Sequence, residues 1–310
     1  MDWRLKVAKQ TILARVPFGH ALRRFKRKYI GYEPDPGNLQ NTLSCLKKMQ
    51  WALNTLNRSF EGATVLEIGS GWFPTIPIML GVGGARRVLM SDLNPHMDAV
   101  TFASTLRFLK DVMPTNQRLN AISTLGDLPI TYLAPFDAGA VPDGTIDFVI
   151  SRTVLEHIPP GDLANLLIAL HPKLSPSGLM VHLVDHSDHL EHTDKSISKI
   201  NFLTWSGRKH ALVNSLTRAG ENRLRHHEYQ PIFEMAGYQV VTTTSEVHEP
   251  TRAIAKSLRL VPPFSGMSLD QLATLTTLYV LEPRPVSAGS ISATTSYPIK
   301  CSGPNGITTA

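Results

Sequence analysis

Cysteine is nearly absent: the 310 residues hold only Cys45 and Cys301. Two thiols so far apart make neither a disulfide framework nor a zinc signature, a usage expected of a chain kept in a reducing cytoplasm. Long apolar runs are missing too. The longest are strand-sized, well short of the roughly 20 residues of a transmembrane helix. The first 20 residues lack the uninterrupted apolar stretch of a secretory signal. Charged residues are 18% of the chain beside 42% hydrophobic, the make-up of a water-soluble protein with ample core material. No internal repeat is visible.

The net charge of +6 is unevenly spread. Residues 1–30 carry nine Lys or Arg and one Asp, so the remainder sums to −2. Arg23-Arg-Phe-Lys-Arg-Lys28 reads either as a solvated basic helix or as a peripheral contact with a membrane surface or an anionic substrate. The cluster is terminal and no nucleic-acid motif accompanies it, so nucleic acid is not an expected partner.

Along the chain, residues 1–60 read as a basic helical extension, broken at Tyr32-Glu-Pro-Asp-Pro-Gly37. Strand patterns follow over 63–69, 87–92, 130–135, 146–151, 179–184, 238–247 and 275–282. Helix patterns occupy 74–80, 96–112, 161–173 and 226–236, with Pro74 suited to a first helical position. The alternation predicts an α/β fold, a doubly wound and mostly parallel seven-stranded sheet over 61–283. The final pair of strands is a candidate antiparallel edge. An insertion falls at about 186–225, and 284–310, rich in Ser, Thr, Gly and Pro, reads as a disordered tail.

The densest signal is Val65-Leu-Glu-Ile-Gly-Ser-Gly71, followed 21 residues after Gly71 by Asp92. Glycines just past a buried strand let a ligand approach the main chain, and the next helix points free N–H groups at the same crevice. A carboxylate after the second strand suits vicinal ribose hydroxyls, because it offers two acceptor oxygens. The dinucleotide fingerprint G-x-G-x-x-G needs a glycine where Pro74 stands, which argues against a pyrophosphate. Glu67, an acid ending a buried strand, is costly unless it is paired. A cofactor bearing ammonium and sulfonium cations gives it a partner.

On these residues the chain resembles the class I S-adenosylmethionine-dependent methyltransferases, with a Rossmann-like fold. Glu67-Ile-Gly-Ser-Gly71 resembles the family's first motif and Asp92 its second-strand acid. Asp143-Gly-Thr-Ile-Asp147 with Phe-Val-Ile-Ser151, the segment Val154-Leu-Glu-His-Ile158, and Leu174-Ser-Pro-Ser-Gly178 are similar to its later motifs. The resemblance implies S-adenosyl-L-methionine as cofactor, with Glu67, Gly69 and Gly71 around its methionine part, Asp92 at the ribose, and Ser70 and Leu93 among the residues that bind it. Asp137 is the candidate on the adenine side and Asp127 the runner-up. Where the family often has a third glycine, Phe73 stands in a stiffer, bulkier loop, which puts cofactor orientation in doubt. The stretch from Asp185 to Ser206 also resembles methyltransferases of bacterial polysaccharide and glycolipid biosynthesis.

For the chemistry, His157 lies just past the fourth strand and is either a general base or an architectural anchor with Glu156. His186 and His189 lie in an acid- and His-rich run, Asp185-His-Ser-Asp-His-Leu-Glu-His-Thr-Asp194, leaving the fifth strand at the end that faces ligands in open α/β sheets. That run reads as a source of a base, as a divalent-metal site, or as a structured loop. Its spacing matches no familiar zinc signature, so no metal is assigned. The resulting expectation is methyl transfer to a small-molecule acceptor, with an oxygen of a sugar or glycolipid precursor as the leading choice. The rivals are a nicotinamide-dependent oxidoreductase and a cofactor-binding module without turnover.

Overall fold

In a computed structural model, residues 1–15, 34–217 and 220–284 are described. The segments expected to form the basic cluster at 23–28 and almost all of the tail at 284–310 lie outside the described residues. One mixed sheet organises the rest. Its strands are β1 (Thr64–Ile68), β2 (Arg87–Ser91), β3 (Ile130–Leu133), β4 (Ile146–Arg152), β5 (Leu174–Asp185), β6 (Tyr238–Val247) and β7 (Thr274–Pro283). The spatial order is β3-β2-β1-β4-β5-β7-β6. β1 pairs in parallel with β2 and β4, β2 with β3, and β4 with β5. β7 is antiparallel to both β5 and β6. The antiparallel strand is therefore not the edge: β7 is inserted as the penultimate strand, and β6, largely exposed, forms the rim.

Central strands are mostly apolar because both faces are covered. Successive residues feed opposite layers. On one face Leu66, Val149 and Met180 pack with Leu163, Leu167, Tyr229 and Phe233 from helices Pro160–Leu170 and Tyr229–Met235. On the other, Val65, Phe148 and Val181 meet Leu46, Met49, Leu53 and Ile76 from helices Pro36–Asn54 and Thr75–Val82. The helical extension foreseen over 1–60 thus divides, and its second helix is a layer of the core.

A third cluster joins Leu190, Ile200, Phe202, Leu203 and Trp205 of the insertion to Val213, Phe264 and Leu272. Helix Trp3–Arg15 docks on this cluster: Val7 is buried in it, Trp3 lies 5.1 Å from Trp205, and the Trp3 amide donates to Asp194 at 2.9 Å. Helix Gly207–Thr217 falls within the insertion, for which a helical insert was one of two readings, whereas helices Glu249–Ala255 and Leu269–Ala273 were not foreseen. They are short, and their apolar residues face this cap rather than a sheet, so no long periodic stripe marks them.

Candidate active site

The loop after β1 is shaped by two left-handed glycines, Gly69 at φ +70° and Gly71 at φ +68°. A Cβ at Gly69 would lie 2.5 Å from Val154 Cγ2, so this position holds the loop against the segment after β4. Around Gly71 nothing lies within 4 Å of such a Cβ, leaving room beside the main chain. The loop is tied to β2: the Ser70 amide donates to the Ser91 carbonyl at 3.0 Å, and the Gly71 amide donates to Asp92 Oδ2 at 2.9 Å. Asp92 Oδ1 accepts from the Asn94 amide at 3.3 Å, and His96 Nε2 stands 3.6 Å from it. Each oxygen keeps acceptor capacity for a hydroxyl. Trp72 lies against His96, with ring centroids 4.4 Å apart and planes tilted by 38°.

Pro74 precedes the following helix, which starts at Thr75, instead of opening it. Glu67 is 5% exposed, and its Oε2 has no hydrogen bond among the described residues. Burial pushes its carboxyl up to about 7, although Ser70 and the Arg152 guanidinium offset part of that. A buried acid beside an open glycine loop fits a ligand that brings its own positive charge. Leu93 is 68% exposed at the end of β2. Asp137 accepts from the Gly139 amide at 2.8 Å, and the neighbouring Phe136 amide donates to the Asp92 carbonyl, which brings the 137 turn to the same corner. Asp127 accepts from the Ser123 and Thr124 amides at 2.8 Å and holds its own turn, the role of a loop acid.

The three candidate histidines separate. His186 is 2% exposed, with Nδ1 3.2 Å from the Leu224 carbonyl and Nε2 3.1 Å from Thr277 Oγ1. Both ring nitrogens are engaged in the core, and burial together with Arg225 holds the ring well below the usual imidazole range. His186 is therefore no candidate base. His157 and His189 come together instead, their rings 4.9 Å apart. Glu221 Oε1 lies 3.4 Å from His189 Nδ1, and Asp185 Oδ2 lies 3.6 Å from Nε2. Burial alone would lower this imidazole, but the two carboxylates outweigh it and raise it to about 9. Glu156, 3% exposed, is pushed up to about 8 by burial, with its own backbone N–H and Asp185's giving partial relief. Within this group, one ligating atom from each of Glu156, His157 and His189 lies within 4.8 Å of the others.

A cavity of about 180 Å³ opens over these groups, lined on its polar side by His157, Asp188, His189 and Glu221 and on its apolar side by Phe202 and Trp205. Residues 220–225 end the insertion read over 186–225; none of them was singled out in the sequence, yet Glu221 lines the cavity and its neighbours fasten the wall. The Asn222 amide donates to the Glu156 carbonyl, and its side-chain amide donates to the Leu155 and Ile158 carbonyls at 2.9 Å each. Arg225, fully buried, donates to the His186, Leu272 and Thr274 carbonyls and ties the exit of β5 to the start of β7. Only their polar character showed in the sequence, and isolated polar residues in a loop carry no periodic signal. Thr153, at φ 51°, bends the chain off β4 so that Glu156 and His157 turn inward. A non-glycine residue in that region stores strain of the kind that clusters at functional sites.

A doubly wound sheet with a glycine loop after its first strand and an acid after its second is the architecture of an enzyme that binds a nucleoside-bearing cofactor. Residues 20–243 match the family model described as Methyltransferase domain. The chain belongs to this methyltransferase family, and its cofactor is S-adenosylmethionine. The nicotinamide alternative finds no support. None of the curated proteins matches the chain. Among solved structures it is similar to an S-adenosylmethionine-dependent methyltransferase from Mesorhizobium loti, at 20% identity and TM-score 0.42, over 75% of this chain and 97% of that one. It is also similar to magnesium protoporphyrin IX methyltransferase from Synechocystis with bound S-adenosylhomocysteine, at 16% identity and TM-score 0.45, over 86% and 95%. A third is geranyl diphosphate C-methyltransferase from Streptomyces coelicolor, at 11% identity and TM-score 0.45, over 76% and 78%. These likenesses stand as descriptions of fold; membership rests on the family model.

Proposed function

We propose that this methyltransferase methylates a hydroxyl oxygen of a small polyhydroxylated acceptor, in the class of sugars and glycolipid precursors. The observation that carries the reading is the acceptor-side cavity, whose floor alternates imidazole and carboxylate groups and whose wall holds Phe202 and Trp205. Carboxylates and imidazoles hydrogen-bond several hydroxyls at once, and an indole stacks on the apolar face of a sugar ring.

In this reading Glu67, Gly69, Ser70 and Gly71 surround the methionine part of the cofactor, Asp92 and Leu93 the ribose, and Asp137 the adenine side. When bound, the cofactor supplies an electrophilic methyl on sulfur. The chain's part is to hold the acceptor oxygen in line, which alone supplies much of such a rate. In this reading the hydroxyl proton would pass to the imidazole–carboxylate cluster around His157 and His189, which would leave the oxygen free to take the methyl from sulfur. A cytoplasmic setting, a small molecule rather than nucleic acid as partner, and contact of the 23–28 segment with an anionic surface or substrate belong to the same proposal. The scarcity of cysteine supports the first of these. Among the described residues no helix is long and apolar enough to cross a membrane.

The test is incubation with S-adenosylmethionine and a panel of glycosides, nucleotide sugars and glycolipid headgroups, with product located by mass spectrometry. An O-methylated product supports the reading; methylation confined to amine or carbon acceptors overturns it. Asp92→Ala is expected to weaken cofactor binding by about 1.5–3 kcal/mol in calorimetry, the range for a hydrogen bond to a charged group. Unchanged affinity would remove Asp92 from the cofactor site.

A further inference from the structure

Two chain segments distant in sequence converge at the cavity floor, and buried ligating atoms of Glu156 and His189 there have no hydrogen bond among the described residues. Glu156 is 3% exposed, and neither of its carboxylate oxygens has a hydrogen bond of good geometry among the described residues. A carboxyl taken out of water in this way keeps its proton unless a cation meets it. Nε2 of His189 is also buried without a hydrogen bond. With His157, these residues offer three ligating atoms mutually within 4.8 Å. Atoms bound tetrahedrally to one ion at about 2.1 Å sit about 3.4 Å apart, so a pair at the 4.8 Å limit must close by about 1.4 Å to complete the set.

His189 stands between two carboxylates that pair with its protonated ring, and a metal ion would take the place of that proton. Glu221 stands behind His189, 3.4 Å from Nδ1, and also faces the His189 backbone amide at 3.5 Å. A carboxylate behind one ring nitrogen orients the other as a ligand and raises its basicity. Asp185, fixed by the Ser187 amide at 2.8 Å, brings a further carboxylate 3.6 Å from Nε2. Asn222 pins the turn that carries Glu156 and His157 through the Leu155, Glu156 and Ile158 carbonyls. Lys6, which lines the cavity, spends its Nζ on the His189 carbonyl at 3.3 Å. His157 and His189 also line the open cavity, so an ion has a way in and coordination positions that face the acceptor.

We infer that Glu156, His157 and His189 form a binding site for one divalent first-row transition-metal ion at the floor of the acceptor cavity. Two imidazoles and one carboxylate suit manganese, iron, cobalt or zinc better than calcium or magnesium, which take all-oxygen sets. An acceptor hydroxyl on the open side of the ion would be oriented, and its proton made easier to release. That role rests on the proposed acceptor reading, whereas the site itself rests only on the residues named.

The experiment uses the full chain stripped with a chelator and checked for S-adenosylmethionine binding. It is titrated with MnCl2, followed by loss of the free-ion electron paramagnetic resonance signal, and with CoCl2, followed by visible absorption. One ion per chain is expected for the wild type. Glu156→Gln, His157→Asn and His189→Asn should each weaken it about tenfold or more while cofactor affinity stays unchanged. A folded, cofactor-binding wild type that takes up neither ion overturns the inference. Variants that bind the ions as the wild type does also overturn it. If Glu156→Gln fails to fold, the two histidine variants decide. An ion bound as expected with no hydroxyl acceptor methylated leaves the metal site standing and removes only the acceptor reading.

Discussion

Gly69 carries two constraints at one residue: a left-handed backbone and a side chain, Val154, pressed against the place where a Cβ would go at 2.5 Å. Gly69→Ala therefore combines a left-handed penalty of about 1–2 kcal/mol with a clash that must move the 154 segment. The expected result is a clear drop in melting temperature and weaker cofactor binding, whereas Gly71→Ala, which meets no neighbour within 4 Å, shows only the backbone penalty in the melt. Glu67 makes a pH prediction. Burial pushes its carboxyl up to about 7 from the 4.5 of a solvated glutamate, so the folded state holds the extra proton in that window. The stability it contributes is full below about 4.5 and is lost as pH rises through about 7. The ionised form is the one that meets a cationic cofactor, so affinity for S-adenosylmethionine should rise across the same window. Glu67→Gln should flatten both trends in thermal melts and calorimetry; a variant with the wild-type pH profile would mean that another group is responsible.

At the scale of elements, the active edge depends on a loop clamping a turn. Asn222 holds residues 155–158 through three carbonyls, and Tyr229 in turn donates to Asn222 Oδ1 at 3.2 Å. Asn222→Ala removes partners from buried carbonyls, at about 1–3 kcal/mol. It should lower kcat while leaving the cofactor Kd close to wild type, because the glycine loop after β1 does not touch Asn222. A matching loss of cofactor affinity would show that the two walls are coupled. All seven strands were legible in the sequence, since buried strands announce themselves as apolar runs between turns. The order of β7 and β6 was not. A strand that pairs on both sides and one that pairs on one side differ by which neighbour arrives, and the long connection over 248–273 leaves that choice to packing.

Across the whole molecule, buried ionisable groups of opposite behaviour shape the stability profile. His182, fully buried with Nδ1 2.8 Å from Ser151 Oγ, is held neutral by burial down to about pH 3. Its folded value is depressed, so the unfolded chain takes up the proton first, and the stability tied to His182 is present above about 6.5 and lost as pH falls through about 3. Melting followed by circular dichroism between pH 3 and 8 should show an acid limb that His182→Gln reduces, provided the variant keeps the Ser151 contact. Persistence of the full acid limb in a folded variant would assign it elsewhere.

The sequence by itself determined the α/β class, the position of the glycine loop and its acid, and the family. Those features are local: a strand, a turn and a charge lie within a few residues of one another and leave a pattern that spacing reveals. It also offered three histidines without ranking them. Only the tertiary structure separated them, sending His186 into the core against Thr277 and bringing His189 to Glu156 and His157. That choice depends on how the chain leaves β5, on Arg225 and Asn222 fastening the returning loop, and on the cap that docks over it. Contacts between segments 32 residues apart follow from packing, and no periodicity in the chain encodes them.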